Sequence, residues 1–357
     1  MKKTMKILKV FTTGHSIGQK LNYVKYLFSR KGEVLGYDPL VISIVATGRC
    51  TLSCDMCPTH SRMVSREYPY LQRTANDMSL GMFKDIIDRY RNAMTVHIIG
   101  SGEPLLNKDF FKMVDYAVSR KMSVKTFSNG TTIKEHIDDI LNSGLDGITI
   151  SLNGHNAAEF RRMTGMEEKV YSDIYEAAGL LINEKKRRRS NVKIKLSFII
   201  DRQNYRQIPE MVDAAVKLGA DHAFFCNFLS SPYSGLKAEE RVLNHDFDTV
   251  NELKTIFGRY PKTIRKLLTP PVLLDASMKE NMCDIHFQQI RFDGDGNTSS
   301  CSMMLLDMTG HGSYKDDGAW NNEFFRGMRS AFLSGSGGDL EPPCRVCPDN
   351  KGAHIRK

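Results

Sequence analysis

The chain has 357 residues, 41% of them hydrophobic and 25% charged, with a formal net charge of +9. That length accommodates one large domain and a smaller one around a sizeable core, and the composition is that of a soluble globular protein. It excludes a transmembrane helix, because no run of about 18 apolar residues occurs, and a secretory signal, because basic Met1 to Val10 lacks a long apolar stretch and a small-residue cleavage site; a cytoplasmic protein is expected.

Residues 1–40 read as an N-terminal extension, in which Leu21 to Phe28 has the pattern of an amphipathic helix that would cover the following domain or meet a partner. From residue 41 to residue 230 strand-like and helix-like segments alternate. Strands are expected at Val41 to Val45, Thr95 to Ile99, Ser123 to Phe127, Gly147 to Leu152, Val192 to Ile200 and His222 to Phe228. Helices are expected at Met78 to Tyr90, Asp109 to Ser119, Ile133 to Leu141, around Ile174 to Asn183, and at Ile208 to Leu218. Six such βα steps with right-handed crossovers predict an α/β fold, a partial (β/α)6 barrel of TIM type that stays open because it has too few strands to close. Lys185 to Arg189 is a basic run, read as a solvated helix end. Nucleic-acid binding is not expected, since no aromatic platform or helix-turn-helix signal accompanies the charge. A mildly basic surface suits an acidic or phosphorylated substrate.

After residue 230 the pattern changes, and 231–357 reads as a second, smaller domain. Residues 245–257 have helical spacing and Pro270-Pro271 breaks the chain. Ile285 to Phe292 and Thr298 to Met304 flank the turn formers Asp293 to Asn297, which predicts a β-hairpin. Trp320 to Leu333 reads as a helix, and Ser334 to Gly338 as a flexible link.

Eight cysteines punctuate this plan, and their grouping points to metal, not to disulfides. Cys50, Cys54 and Cys57 have C-x3-C-x2-C spacing directly after the first strand. A loop there lies at the C-terminal face of the barrel, where active sites of such folds are found. Three soft thiolates at this spacing suit three irons of a [4Fe–4S] cube, leaving the fourth iron open. A zinc site would show a second Cys or His pair at finger spacing, which is absent apart from His60.

The motif and its position resemble the radical S-adenosylmethionine (SAM) superfamily, and further segments match in order. Gly100-Ser101-Gly102-Glu103-Pro104 follows the second strand where the family has Gly-Gly-Glu-Pro; the resemblance implies that its backbone holds the SAM amino group, with glycine permitting close approach. Ser128-Asn129-Gly130 is similar to the family's Thr-Asn-Gly, and Ser151-Leu152-Asn153 to its Ser-Leu-Asp, which implies contacts to the ribose. Phe160 to Gly165 resembles the segment whose arginine pairs with the SAM carboxylate, a role assigned to Arg161 ahead of Arg162. Met56, Ser101 and Asn153 depart from the commoner aromatic, Gly and Asp. In this family the open iron chelates SAM, electron transfer yields a 5′-deoxyadenosyl radical, and that radical removes a hydrogen atom from the substrate. The resemblance also implies an external one-electron reductant of the flavodoxin or ferredoxin type.

Cys283, Cys301 and the C-x2-C pair Cys344 and Cys347 could ligate either a [4Fe–4S] cluster or zinc by spacing alone. Hairpin, helix and C-x2-C together resemble the SPASM/twitch auxiliary domain of radical SAM enzymes, which implies one auxiliary [4Fe–4S] cluster with four protein ligands. The spacing is similar to that of 2-deoxy-scyllo-inosamine dehydrogenases. A fully ligated cluster is placed to accept or relay electrons. Cys226 stands alone on the sixth strand, where it is either a core residue or a thiol hydrogen donor of the kind that radical SAM epimerases use.

These features predict a radical SAM enzyme that dehydrogenates, dehydrates or epimerises a small polyol, sugar or aminocyclitol. A maturase or epimerase acting on a peptide or protein is the alternative. A non-enzymatic electron carrier is the third reading, and the SAM-binding segments argue against it.

Overall fold

Two helices precede the first strand in the computed structural model, which describes residues 2–64, 76–229, 236, 238–243, 246–273, 283–302, 311–334, 344 and 347. α1 (Lys2–Phe11) has no counterpart among the expected elements; α2 (Ile17–Phe28) contains the expected amphipathic stretch. Ser16 caps α2 with a capping box, in which its hydroxyl accepts from Gln19 N and its own N–H donates to Gln19 Oε1. Buried Gln19 donates to the carbonyls of Arg91 and Arg120, and buried Asn22 to those of Asp38 and Asn92. These bonds fasten α2 to the loops that lead into the first three strands.

The alternation then runs as expected. It comprises β1 (Val41–Val45), α3 (Leu80–Arg89), β2 (Thr95–Ile99), α4 (Phe110–Ser119), β3 (Ser123–Ser128), α5 (Ile137–Asn142), β4 (Gly147–Ser151), α6 (Ala157–Thr164), α7 (Glu168–Arg188), β5 (Lys193–Ile200), α8 (Ile208–Leu218) and β6 (His222–Asn227). Ser79 and Asn156 cap α3 and α6 through their side-chain oxygens. The basic run closes α7 and is largely paired: Lys185 meets Asp221, Arg187 meets Glu184, and Arg188 meets both Glu184 and Asp138.

Beyond β6 come α9 (Ala238–Arg241), α10 (Phe247–Gly258), α11 (Lys262–Arg265), β7 (Leu268–Thr269), β8 (Gln289–Phe292), β9 (Thr298–Ser299) and α12 (Glu323–Ser334). The hairpin is present as antiparallel β8 and β9. Ile285–Phe287 is a 3-10 turn instead of the start of its first strand. Positions 303–304, the link 335–338 and positions 345–346 lie outside the described residues. The hairpin also joins the barrel, because β8 pairs parallel with β1. One open sheet results, in the order β7-β6-β5-β4-β3-β2-β1-β8-β9. Arg329 of α12 clamps the C-terminal part to the extension: its guanidinium donates to the carbonyls of His286, Glu33 and Trp320 and to Asn321 Oδ1, at 2.7–3.0 Å, and lies over the Trp320 ring.

Parallel strands put residues in register on the same face, and alternate residues on opposite faces. One face carries Ile42, Ile44, Val96, Ile98, Val124, Ile148, Ile150, Ile194, Leu196, Phe198, Phe225, Ile290 and Phe292, all buried. It is the helix side: Phe292 packs on Tyr90 beside α3, and Phe225 on Phe257 of α10. The other face is the concave lumen. It carries Ser43, His97, Lys125, Phe127, Thr149, Ser151, Lys195, Ser197, His222, Phe224, Cys226 and Arg291, and Phe127 keeps 40% of its surface open.

Candidate active site

The chain leaves β1 into the loop that carries the first three cysteines. Buried Thr47 anchors it, donating to Asp77 Oδ1 at 2.6 Å and accepting from Arg49 N at 3.0 Å. Arg49 in turn forks onto Asp77 and donates to the Leu106 carbonyl at 2.7 Å. Burial opposes ionisation of Asp77, yet the bonds from Arg49 and Thr47 hold its carboxyl below the ordinary range.

Cys50, Cys54 and Cys57 are all partly buried. Their thiols lie within electrostatic reach of one another: burial pushes the Cys54 thiol up to about 12, and Cys57 and Cys50 add to the effect. Burial likewise raises the Cys50 thiol, and a coordinated cation reverses that balance by deprotonating its ligands. N–H groups already point at two of the sulfurs. Thr59 N and His60 N donate to Cys57 Sγ at 3.5 and 3.3 Å, and Asn129 Nδ2 donates to Cys50 Sγ at 3.5 Å. Such donors stabilise thiolate ligands, so this donor set fits an iron–sulfur cluster. Among the described residues no three His, Cys, Asp or Glu side chains converge on one metal ion; thiolates on three different irons of a cube stand further apart than ligands of a single ion.

The second motif packs directly beneath this loop. Gly102 N donates to the Thr47 carbonyl at 3.2 Å, and Glu103 N to the Arg49 carbonyl at 2.8 Å. A Cβ on Gly102 would run into the Arg49 backbone, and one on Gly100 would sit 2.5 Å from the Gly102 oxygen. The glycines therefore let two loops touch, as well as leaving the backbone bare. Ser101 offers its carbonyl to Thr59 Oγ1 at 3.0 Å. The Glu103 side chain is turned inward. It accepts from Leu105 N, capping the 3-10 turn that Pro104 opens, and from Asn129 N at 2.6 Å. Burial pushes its carboxyl up to about 7 against those hydrogen bonds. Within this motif the backbone, not the Glu103 carboxylate, faces outward.

Loops after β3 and β4 complete the rim. Asn129 donates to Thr51 Oγ1 at 3.0 Å as well as to Cys50, and Ser128 Oγ accepts from Gly130 N. Ser151 ends β4, with its hydroxyl 3.5 Å from that of Ser197. Asn153 is buried in a left-handed conformation, φ +54°, and its Oδ1 has no partner among the described residues. A buried acceptor without a donor is costly, and a ligand hydroxyl or amine at this point would relieve it.

The structure separates the two arginines of the fifth segment. Arg162 is committed to Glu159, Asp201 and Gln203 at 2.7–3.2 Å. Arg161 is exposed and makes no ion pair with any described residue. Their helix is docked on the cysteine loop, since Asp55 N donates to the Thr164 carbonyl at 2.8 Å. Gly165 at φ +69° abuts the Asp55 carboxylate, where a Cβ has no room. Neither Asp55 nor Asp77 was expected from the sequence, and nothing in their local pattern marks them.

Cys226 falls on the lumen face, with Phe225 and Asn227 on the helix side, and its thiol lies 3.6 Å from the Phe198 carbonyl. Cys283 precedes the 3-10 turn and Cys301 follows β9; both pack against the core cluster that contains buried Cys344, while Cys347 is partly buried. A cavity of about 570 Å³ between α2 and the C-terminal segment, lined by residues such as Tyr37, Arg89 and Trp320, opens at the opposite end of the strands from the cysteines.

The family model described as the radical SAM superfamily matches residues 44–223, half of the chain. The chain belongs to the radical SAM superfamily. Its cofactors are therefore a [4Fe–4S] cluster and SAM. Among curated proteins, the mycofactocin maturase MftC of Mycolicibacterium smegmatis is 29% identical over 184 residues, 51% of this chain and 43% of that protein. The PqqA peptide cyclase of Granulibacter bethesdensis is 24% identical over 192 residues, 53% and 47% of the two chains. The matches thus span less than half the length of these relatives. Among solved structures, SAM-bound SuiB of Streptococcus suis superposes with a TM-score of 0.66 at 18% identity, over 84% of this chain and 69% of that one; it shares the fold. Among the described residues no helix is long and apolar enough to cross a membrane.

Proposed function

We propose that this radical SAM enzyme modifies a peptide, and that its lumen receives the side chain to be altered. The open lumen carries the reading: its face ends in Phe127, Phe224 and Cys226, with Phe127 40% exposed. An incomplete barrel admits a side chain from the open edge while the rest of a peptide stays outside. The names of the relatives support it, being a maturase and a peptide cyclase, and SuiB is known bound to the precursor peptide SuiA. A small polyol, sugar or aminocyclitol, suggested by the late-cysteine spacing, has weaker support from these comparisons.

In this reading Cys50, Cys54 and Cys57 hold the SAM-binding cluster. The backbone of Gly100 to Pro104 receives the SAM amino group, Ser128 and Asn129 brace the cluster loop, and Ser151 and Asn153 meet the ribose. Arg161, free of the ion pairs that hold Arg162, receives the carboxylate. Bound together, cluster and SAM supply a one-electron cleavage that yields a 5′-deoxyadenosyl radical. Cys283, Cys301, Cys344 and Cys347 hold the auxiliary cluster, and an external one-electron reductant serves the first. Cys226 is positioned to deliver a hydrogen atom from the lumen wall. The test is anaerobic incubation of reconstituted protein with SAM, a reductant and short peptides encoded beside its gene, read by peptide mass. A mass change that requires SAM supports the reading. Unchanged peptides, alongside conversion of an aminocyclitol or sugar, would replace it with the polyol reading.

A further inference from the structure

The lumen has an inner layer, below the rim, that the SAM-binding segments do not use. In register along the sheet it runs Arg291 to Ser43, Ser43 to His97, and His97 to Lys125. On the far side of β4, Lys195 lies one same-face step further along, in register with Thr149 and His222, and the tilt of barrel strands turns it towards the same chamber. We propose that this layer seats an anionic group of the substrate, a carboxylate or a phosphate, with Arg291, Lys125 and Lys195 as its cations. The inference rests on the lumen being the substrate chamber.

Three observations carry it. The first is Arg291, which is 2% exposed. Its guanidinium makes no hydrogen bond or ion pair with a described residue, and its buried Nε has no partner. Arg329, comparably buried, shows the ordinary solution, with donors filled by three carbonyls and an amide oxygen. A buried cation without an acceptor is strongly disfavoured, and an incoming anion removes that penalty.

The second is the absence of counter-charge on the strands themselves. No Asp or Glu occurs among the strand residues of the lumen face. Asp221 acts electrostatically on Lys195, but its carboxylate is taken by Lys185 and by Ile194 N. The third is convergence. Burial, Lys125 and Lys195 together push the His97 ring down to about 4, so both ammonium groups act electrostatically on one imidazole. Neutral His97 and Ser43 then add hydrogen-bonding groups to the same level.

Depth sets the substrate's shape. Each along its own strand, Phe127 stands two positions beyond Lys125 and Ser197 two positions beyond Lys195, about 7 Å at strand rise. The anionic group therefore sits a few bonds from the carbon that faces SAM, as in a short acidic side chain, a chain-terminal carboxylate or a small phosphate ester.

The test is calorimetric titration of the reconstituted, SAM-loaded protein with succinate and, separately, with inorganic phosphate. Saturable binding of at least one is expected, weakened about tenfold or more in Arg291→Met and in the Lys125→Met/Lys195→Met double variant. In Lys125→Glu/Lys195→Glu, putrescine should bind and the anions should not. Iron content reports whether each variant is folded. The preferred anion, succinate or phosphate, identifies the group. If the parent binds neither, or if the double Met variant stays within about twofold of it, the anion site does not exist. The readout needs no turnover, so loss of peptide modification with anion binding intact would count against the proposed substrate and not against this site.

Discussion

Arg161 and Arg162 are adjacent and identical, and the proposed reading gives them opposite roles that two substitutions separate. Arg162 is 28% exposed at its side chain and bridges Glu159, 5% exposed, and Asp201, fully buried. Removing one partner of such a group costs about 3–5 kcal/mol, because the remaining charges stay buried without compensation. The lower end applies, since Arg241 Nε still lies 2.9 Å from Asp201. Arg162→Ala should thus lose about 3 kcal/mol, more than a hundredfold in the folding equilibrium. Arg161→Ala removes no internal partner and should stay within about 0.5 kcal/mol of the parent. Its effect should fall on SAM, where loss of a charge-assisted contact worth about 1.5–3 kcal/mol raises the dissociation constant roughly ten- to a hundredfold. Urea unfolding followed by circular dichroism reads the first quantity, and equilibrium dialysis of SAM against reconstituted protein the second. An Arg162→Ala protein within about 1 kcal/mol of the parent, or an Arg161→Ala protein that binds SAM as the parent does, would refute the division of labour.

Other expectations follow from contacts elsewhere in the molecule. Gly102→Ala must part the Gly102 and Arg49 backbones, which should cost about 1–3 kcal/mol and reduce iron uptake; iron content equal to the parent's would show that the two loops are not coupled. His286 is buried, its ring pushed down to about 3 by desolvation and then by Arg329. Its folded pKa lies below its unfolded one, so the stability of the neutral ring is complete above the ordinary value of 6.5 and is lost as pH falls from there towards 3. The urea midpoint should therefore drop between pH 6.5 and about pH 5, and His286→Asn should flatten that slope; an identical slope in both proteins would remove the cause. Cys283→Ala should halve the iron bound after reconstitution while leaving SAM cleavage in place, and undiminished iron would show that this residue holds no cluster.

Much of the barrel is legible in the sequence because each strand is a short apolar run with a period of two, followed by helical spacing. The six expected strands, β1 to β6, appear within a residue or so of their expected bounds. What local pattern cannot carry is pairing at a distance. The hairpin is visible between Ile285 and Met304, but nothing near it says that β8 will lie parallel to β1. Short elements such as α9, α11 and β7 fall below the length at which periodicity speaks. At the site, cysteine spacing and the order of the motifs are sequence properties, and they suffice to place the three-cysteine loop after β1. The side-chain commitments are not: Glu103 turns inward to Asn129 N, Asp77 braces Arg49, and Asp55 meets Gly165, each across a long stretch of chain. The inward face of Cys226 needed the neighbouring strands, since alternation alone gives two faces without saying which is concave.

The central claim is that Cys50, Cys54 and Cys57 make this chain a generator of the 5′-deoxyadenosyl radical. Chromatographic detection of 5′-deoxyadenosine from SAM, after anaerobic reduction of the reconstituted protein, tests it most directly. The parent and Cys283→Ala proteins should form it, and Cys50→Ala, Cys54→Ala and Cys57→Ala should not. An iron-loaded parent that forms none, or a Cys50→Ala protein that forms it at the parent's rate, would contradict the account.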